Sequence, residues 1–600
     1  MNTSVQKNRD AIGSEYKWNI EKMYPDESKW DTDLDDCLNA AEDFSKYRGH
    51  LADSAAAFLE ALECYLSISR KFEHAFVYAR MRHDEDNSNA RYTEMNNRAL
   101  SAGAKISAAC SFFRPELLSA DESLIRFYIK DNAALLPYQH LIDTIFREKA
   151  HVLSSEEENI LAILEEELSA PSEAYTVLNN VDMDFGTCRD SKGEGTPITH
   201  ANFINLMESE DRAVRKAAFT GVYEAYRKLN HTISVLYNYS VKNDVIAARI
   251  RRYGSALESA LQAENIPVSV YTNLIGAVRE FLPSMHRYVS IRRRVLGLGE
   301  LKMYDVYCPL VRPANLTFTY DEAVDLACRA LAPLGEDYVR VFRKGVTEDR
   351  WVDRLESTGK TSGAYSFGSY DSDPYILMNF TGTLKDVFTL VHEGGHSMHA
   401  WYTRREQPFV YGSHSIFTAE VASTVNETLL IRYLLENAET EEMKIYLINF
   451  YLDEFKSTLF RQTMFAEFEK AAHDVVEGGG SLTAEWLNRE YGNLNAAYFG
   501  PDMDPDDLIQ YEWSRIPHFY RDFYVYQYAT GYSAANALAE AIFTGGAEAR
   551  DAYRKFLTLG DSEDPIDLLK IAGVDMSTPE PVRAALRIFD GLVDQLDHLV

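Results

Sequence analysis

Apolar residues recur every three or four positions along most of this chain, which is the pattern of amphipathic helices. Clear examples lie at 55–73, 154–167, 212–230 and 321–331. Polar loops separate these segments, and the first two hundred residues are predicted to form successive helices. The pattern therefore predicts a mainly α-helical protein.

Two segments interrupt the helical pattern. Residues 181–199 are rich in Gly, Asp and Ser, which predicts a hairpin or loop and a boundary near residue 200. We therefore expect an N-terminal helical region at 1–200 and a second region at 201–600. Residues 363–380 predict two short strands, because a turn-like Asp-Ser-Asp-Pro separates two aromatic and apolar runs.

The predicted hairpin at 363–380 has two interpretations that the sequence leaves open. It is either a structural hairpin that fills the core, or a sheet edge that pairs with an extended peptide through main-chain hydrogen bonds. In the second case Gly363, Ala364 and Tyr365 are candidate substrate-binding residues.

Charge and cysteine content exclude several classes of protein. The 600 residues include 61 Lys and Arg against 92 Asp and Glu, a formal charge of −31. Such a surface repels nucleic acid and anionic membranes, so neither is an expected partner. Six scattered cysteines match no metal knuckle and predict reduced thiols. No apolar leader and no run of about 18 apolar residues is visible, so a cytoplasmic protein is expected.

A candidate metal site follows the predicted hairpin. Thr383 and Asp386 have the spacing of a capping box, which predicts that a helix begins there. His392 and His396 are four residues apart on that helix, so both imidazoles leave one face and can bind a single Zn²⁺ ion. Glu393 lies about 100° around the helix from His392, where it can act as a general base.

A catalytic zinc site needs a third protein ligand, and Glu420 is the candidate. Glu420 lies on the next predicted helix, and Glu427 seven residues later can accept the free N–H of a ligand histidine. His399 shares the face of His392 but lies about 10.5 Å along the axis, too far to share the ion. It is expected to order a nearby side chain or the substrate.

Two glycines, Gly394 and Gly395, lie inside the predicted zinc helix. In a helix interior they cost roughly 1–2 kcal/mol relative to two alanines. Close packing of another helix would explain them. So would the approach of a second ligand-bearing helix or of substrate to the backbone.

The motif HEGGHSMH at 392–399, followed by FTAEVASTVNETLL at 417–430, resembles the oligoendopeptidase F family, relatives of thimet oligopeptidase and neurolysin. The family pattern is H-E-x-G-H-x-x-H and then E-V-x-S-x-x-x-E. The resemblance covers most of the chain and is strongest from about 360 to 535.

The resemblance implies a two-lobed helical metallopeptidase with a deep substrate channel and a small β-sheet next to the zinc helix. It implies one Zn²⁺ held by two His and one Glu, and substrates that are short unstructured peptides. Residues 1–200 would form part of the channel wall, and 201–600 the catalytic domain. Matched to the family motif, the ligands are His392, His396 and Glu420, and the general base is Glu393.

The family also uses a His and Tyr cluster near the C-terminus to bind the peptide and its oxyanion. The matching residues are His518, Tyr524 and Tyr528, with Tyr532 as a weaker, substrate-binding candidate. Tyrosines at 520, 524, 528 and 532 also step by four, which predicts a stripe along one helix. The thimet-type relatives carry a glycine-rich loop here. This sequence has Arg-Asp-Phe at 521–523 instead, which leaves the register of Tyr524 open.

The expected reaction is hydrolysis of internal peptide bonds, by a monomer or small homo-oligomer. Two alternatives stay open: a zinc metallocarboxypeptidase on a similar helical fold, and a non-enzymatic peptide-binding protein with a residual zinc site. Glu393 and the candidate oxyanion donors argue against the second alternative.

Overall fold

The computed structural model describes residues 8–189, 193–311, 316–504 and 506–600. Helical segments, including short 3-10 and π-helical ones, contain 72% of the chain and the sheets are small, which confirms the prediction of a mainly α-helical fold. The helices, in chain order, are α1 (Glu27–Phe44), α2 (Ala55–Glu85), α3 (Ala90–Cys110), α4 (Phe113–Ser119), α5 (Glu122–Asp131), α6 (Gln139–Arg147), α7 (Ser155–Val177), α8 (Phe203–Met207), α9 (Arg212–Ile250), α10 (Ala256–Gln262), α11 (Val268–Glu280), α12 (Leu282–Val295), α13 (Tyr320–Ala330), α14 (Glu336–Val346), α15 (Leu384–Glu406), α16 (Ile416–Glu436), α17 (Glu441–Glu454), α18 (Arg461–Glu477), α19 (Ala484–Phe499), α20 (Tyr526–Gly545), α21 (Ala547–Phe556), α22 (Pro565–Ile571) and α23 (Glu580–Leu599).

Two small sheets accompany the helices. Strands β1 (Thr187–Arg189) and β2 (Gly195–Pro197) form the antiparallel hairpin predicted at 181–199. Strands β3 (Val352–Asp353), β4 (Tyr365–Phe367) and β5 (Tyr375–Leu377) form a sheet in the order β3-β5-β4. The predicted hairpin at 363–380 is therefore present as β4 and β5. The sequence pattern did not reveal β3, which has only two residues and pairs parallel to β5.

The chain folds into two compact units, and each unit contains several separate segments. The first comprises Met1–Ala150, Leu316–Tyr433 and Leu538–Gly573, and the second His151–Asn315, Leu434–Ala537 and Val574–Val600. These units do not follow the division at residue 200. The division at residue 200 assigned a function to each region, a channel wall to 1–200 and catalysis to 201–600. Both this assignment and the channel stay predictions.

The core of the first unit surrounds the three-stranded sheet. Helices α1, α2 and α3 bury their apolar faces together with the N-terminal segment, and Tyr375 and Leu377 of β5 are part of the same cluster. Strand β5 is buried along its length, whereas β4 is half-buried at the edge of the sheet. This packing fixes β4 in place, and among the described residues one edge of the strand has no partner strand.

The six cysteines are not joined by disulfide bonds, and five of them are buried. Within the described part of the chain, no helix is both long and apolar enough to cross a membrane.

Candidate metal centre and associated side chains

Helix α15 begins at the predicted residue because its first turn is capped on both sides. The Thr383 hydroxyl accepts a hydrogen bond from the Asp386 N–H, and the Asp386 carboxylate accepts one from the Thr383 N–H. Asp386 also accepts from Thr381. This reciprocal cap confirms the predicted start of the helix and fixes the rotation of α15, which determines where its histidines point.

Three side chains of the first unit offer metal-binding atoms to one point. The ligand atoms of His392, His396 and Glu420 all lie within 4.8 Å of one another. Glu420 Oε2 is 3.5 Å from Nε2 of each histidine. Ligands at Zn–N and Zn–O distances near 2.1 Å in a tetrahedron are separated by about 3.4 Å, so this donor set fits a Zn²⁺ ion.

Helix α16, which contains Glu420, packs closely against α15 at Gly395. A Cβ on Gly395 would lie 2.6 Å from the Ser423 Cα and 2.7 Å from the Ala422 carbonyl oxygen, both backbone atoms of α16. Gly394 faces a different neighbour, the ring of Phe342. The approach of the second ligand-bearing helix therefore accounts for Gly395, and close packing against α14 accounts for Gly394.

Replacing Gly395 with alanine is expected to destabilise the protein, although alanine is the better helix former. The added methyl group meets backbone that cannot move aside, and such overpacking costs about 1–3 kcal/mol. Thermal unfolding of the metal-free protein measures the effect. Gly591→Ala is the matched control: Gly591 lies inside α23 with no atom near the added Cβ, so this change should stabilise by about 1 kcal/mol. Equal melting temperatures for both variants would contradict the backbone contact.

Glu427 lies beside Nδ1 of His392, the ring nitrogen that does not face Glu420. His392 Nδ1 is 3.2 Å from Glu427 Oε1, so a proton on Nδ1 is donated to this carboxylate and Nε2 is left for a metal. Burial by itself lowers the pKa of His392, but the hydrogen bond and charge of Glu427 raise it to about 9 in the metal-free protein. The sequence predicted this contact, and its effect on metal binding is a further prediction.

Glu427→Gln is expected to weaken metal binding without removing it. The neutral amide still accepts from Nδ1 but no longer increases the basicity of the imidazole, and losses of about 10–100-fold in affinity are typical for such partners. Competition with a chromophoric chelator measures the zinc dissociation constant. Turnover at saturating zinc should stay close to the parent value. A variant with unchanged zinc affinity would show that Glu427 only packs against the ring.

Glu393 is buried next to the edge strand. The backbone N–H of Ser366 in β4 lies near its side chain and favours the charged carboxylate, and the residue exposure of Glu393 is 8%. Burial raises the pKa of Glu393, while His392 and His396 act in the opposite direction. A carboxylate with a raised pKa next to candidate metal ligands is suited to accept and release a proton.

His399 does not join the three ligand atoms. Its ring lies against that of His414, tilted by 32° at a centroid distance of 3.6 Å, and is 5.1 Å from the ring of Phe556. Burial, with His414 and His396 nearby, lowers the pKa of His399 well below the usual value, so the ring is neutral. His399 thus packs next to the candidate metal centre, consistent with an ordering role, which stays a prediction.

His414 was not identified from the sequence, and a neighbouring threonine fixes its tautomer. The Thr403 hydroxyl donates its single proton to the Leu557 carbonyl oxygen at 2.9 Å. His414 Nε2 lies 2.9 Å from the same Thr403 oxygen, so Nε2 must carry a proton and donate it. Burial lowers the pKa of His414 to about 3, so the ring is neutral and Nδ1 is an acceptor.

A cavity of about 510 Å³ in the first unit contains the candidate metal ligands. Ala364 and Tyr365 are among its lining residues, whereas Gly363 is not one of them. Gly363 instead has a positive φ of 85°, which favours glycine at the turn before β4. A substrate-binding role of these three residues stays a prediction. The cavity is also lined by residues that the sequence did not single out: Glu73, Ser366, Phe367, Gly368, Arg404 and His414.

The predicted His and Tyr cluster lies in the second unit. The rings of His518 and Tyr524 are stacked, with centroids 5.9 Å apart. Tyr528 Oη is 3.4 Å from His518 Nε2, and its ring meets Tyr524 edge-on at 5.4 Å. Burial and the charges of Arg521 and Arg461 lower the pKa of His518, so its ring is neutral near pH 7. The three side chains thus share one cluster, and their roles stay predictions.

The predicted tyrosine stripe along one helix is wrong for Tyr520 and Tyr524, whereas Tyr528 and Tyr532 both lie on α20. Tyr520 ends a short 3-10 helix, a loop follows, and α20 begins only at Tyr526. Tyr520 stacks on Tyr175 at 4.3 Å. Tyr532 is buried and contacts Phe455 edge-on at 5.0 Å. A substrate-binding role of Tyr532 stays a prediction.

Two adjacent helices that supply His-Glu-x-x-His and a carboxylate as the third ligand, in a mainly helical fold, define a metallopeptidase. Comparison with known sequences identifies the family. The profile described as Peptidase family M3 matches residues 205–588, and the profile described as Oligopeptidase F matches residues 116–185. The chain belongs to peptidase family M3 and is a peptidase.

Similar proteins cover the full chain. Oligopeptidase PepF of Bacillus subtilis is 44% identical over 592 residues, covering 99% of this chain and 88% of the relative. Group B oligopeptidase PepB of Streptococcus agalactiae is 43% identical over 596 residues, 99% of each chain. The crystal structure of oligoendopeptidase-F from Enterococcus faecium is 37% identical, with a TM-score of 0.75, and covers 96% of this chain and 99% of that one.

Proposed function

We propose that the protein is a zinc-dependent oligoendopeptidase that hydrolyses internal bonds of short unstructured peptides. The observation that carries this proposal is the convergence of His392, His396 and Glu420 beside the buried carboxylate of Glu393. The names of the similar proteins, oligopeptidase and oligoendopeptidase, support the same substrate class.

Two imidazoles and one carboxylate are a donor set that suits Zn²⁺, and three protein ligands leave a position open. A zinc ion bound there supplies Lewis acidity to the scissile carbonyl and lowers the pKa of the attacking water. Glu393 would accept the proton of that water and pass it to the leaving amine.

The edge strand and the His and Tyr cluster complete the proposal. Ser366 of β4 and Glu393 line the same cavity, so an extended peptide lying along this edge would bring its backbone near the general base. By resemblance to the family, His518, Tyr524 and Tyr528 would bind the peptide and stabilise its oxyanion. By the same resemblance, the region 1–200 would restrict folded proteins from reaching the catalytic region 201–600.

The proposal is tested with a pool of short peptides, digested with and without a chelator and analysed by mass spectrometry. We expect internal cleavage that stops on chelation and returns with added zinc, while intact folded proteins stay uncut. A quenched peptide blocked at both ends identifies the type of peptidase, because a carboxypeptidase cannot cut it. Trimming from the C-terminus alone would contradict the endopeptidase assignment, and zinc binding without turnover would contradict an enzyme.

A further inference from the structure

Glu469 is a buried acid in the second unit that the proposed mechanism does not use. It lies in the middle of α18 with an exposure of 0%. Its Oε1 accepts a hydrogen bond from the Phe523 N–H at 2.8 Å, and its Oε2 is buried with no hydrogen-bond partner among the described residues. A buried polar atom without a hydrogen-bond partner destabilises the folded state, so we expect Glu469 to have a role that offsets this cost.

The hydrogen bond from the Phe523 N–H to Glu469 is important because Phe523 has an unusual backbone conformation. This residue has a φ of +50°, a left-handed conformation that is uncommon for a bulky side chain. Such a conformation persists only where the surroundings hold it in place. The Phe523 ring is buried against His473 at 4.4 Å and Tyr271 at 5.6 Å, and Glu469 holds the backbone N–H.

Phe523 determines the direction in which the chain enters Tyr524. The Tyr524 N–H donates to the Arg521 carbonyl oxygen at 3.3 Å, which makes a tight turn around Phe523. The Arg521 guanidinium lies over the Tyr524 ring at 4.1 Å, and the rings of His518 and Tyr528 also contact it. These contacts orient the Tyr524 ring, whereas the turn at Phe523 determines the position of the Tyr524 Cα.

The framework behind the turn is rigid. His473, one helical turn after Glu469 on α18, hydrogen-bonds through Nδ1 to the Glu469 carbonyl oxygen at 2.9 Å. Its Nε2 lies 3.3 Å from Asp244 Oδ2 on α9. Tyr271 donates to the Ala466 carbonyl oxygen at 2.6 Å, which connects α11 to the same face of α18. The acceptor for the Phe523 N–H is therefore fixed by three helices.

We infer that Glu469 is a positioning residue for Tyr524: it holds the left-handed turn at Phe523 and so fixes the phenol where the proposed reaction needs it. The inference rests on the proposed function, because it assumes that Tyr524 donates to the oxyanion. It assigns no contact between Glu469 and the substrate. A neutral acceptor of the same shape should serve equally well, because the interaction is a single hydrogen bond from a backbone N–H.

The test measures kcat and KM of the zinc-loaded full chain on a quenched peptide blocked at both ends. Glu469→Met keeps the volume and removes the acceptor, and we expect kcat to fall about 10–100-fold, the effect of a misplaced catalytic group, with KM nearly unchanged. Glu469→Gln, the matched control, keeps the acceptor and should retain most of the activity. Tyr524→Phe should lower kcat about 100-fold.

The double variant separates positioning from a general structural effect. If Glu469 acts through Tyr524, then adding Glu469→Met to Tyr524→Phe should lower kcat by less than about twofold further. A full additional loss in the Tyr524→Phe background would overturn the inference, and so would a Glu469→Gln variant as impaired as Glu469→Met. Unchanged turnover in Tyr524→Phe would overturn it as well.

Two controls keep the result clear. A wild-type chain without metal-dependent turnover would refute the proposed function, whereas an active wild type with an active Glu469→Met variant refutes only this inference. If Glu469→Met does not fold, amide hydrogen exchange of the wild type replaces it. The Phe523 amide should exchange as slowly as the core of α18, and exchange at the rate of an exposed loop would overturn the inference.

Discussion

Replacing Glu393 with glutamine is expected to leave zinc bound and to remove nearly all turnover. Glutamine keeps the size of the side chain and one oxygen acceptor, but it cannot take a proton from water. General base catalysis contributes about 10²–10⁴-fold, so kcat should fall by roughly this factor. Because Glu393 is not one of the three converging ligands, zinc content measured by mass spectrometry should equal that of the wild type.

Glu406→Gln is the control for this change. It removes an acid from the last turn of the same helix, where the side chain is exposed, and should leave both kcat and zinc content unchanged. Turnover of Glu393→Gln within a factor of a few of the wild type would rule out Glu393 as the general base. Loss of zinc together with loss of turnover would assign it a role in holding the metal instead.

Glu420→Gln is expected to release the metal. A neutral amide is a much poorer zinc ligand than a carboxylate, and Glu420 is the donor that lies 3.5 Å from both histidine nitrogens. Zinc sites with four protein ligands bind with roughly 10–16 kcal/mol, so one lost ligand should cost about 3 kcal/mol, or more than a hundredfold in affinity. The variant should be purified with little zinc and show turnover only at high added zinc.

Glu436→Gln, at the exposed end of the same helix α16, is the matched control and should retain its zinc. Activity titrated against free zinc distinguishes the two causes of inactivity. Recovery of kcat at saturating zinc is expected for a defect in affinity. A Glu420→Gln variant that keeps stoichiometric zinc after dialysis would show that another group is the third ligand.

Local features of the metal centre could be predicted from the sequence because they depend on helix geometry. The capping box at Thr383 fixes where α15 begins, and a period of 3.6 residues then brings His392 and His396 to one face. Gly395 indicated that a second helix approaches, and the backbone of α16 lies there. A short loop between two helices also limited the candidates for a third ligand to the next helix.

Features that depend on contacts between distant segments could not be predicted. His414 lies in a loop without periodicity, and only the Thr403 hydroxyl reveals its tautomer. Glu469 is an ordinary acid in a helical sequence until Phe523 is placed against it. The tyrosine spacing of four was misleading, because a left-handed residue in the segment before Tyr526 ends the helical pattern that the spacing suggests.

The division of the first unit into three segments has a consequence for the synthesis of the protein. The metal-bearing helix is held by residues made much later: Thr403 donates to the Leu557 carbonyl oxygen, Gln407 donates to that of Thr558, and His399 packs against Phe556. A chain still growing on the ribosome lacks these partners until α21 has emerged. Because compact units fold as wholes, we expect the nascent chain to complete its metal centre only near the end of translation. Unfinished chains would therefore have no peptidase activity.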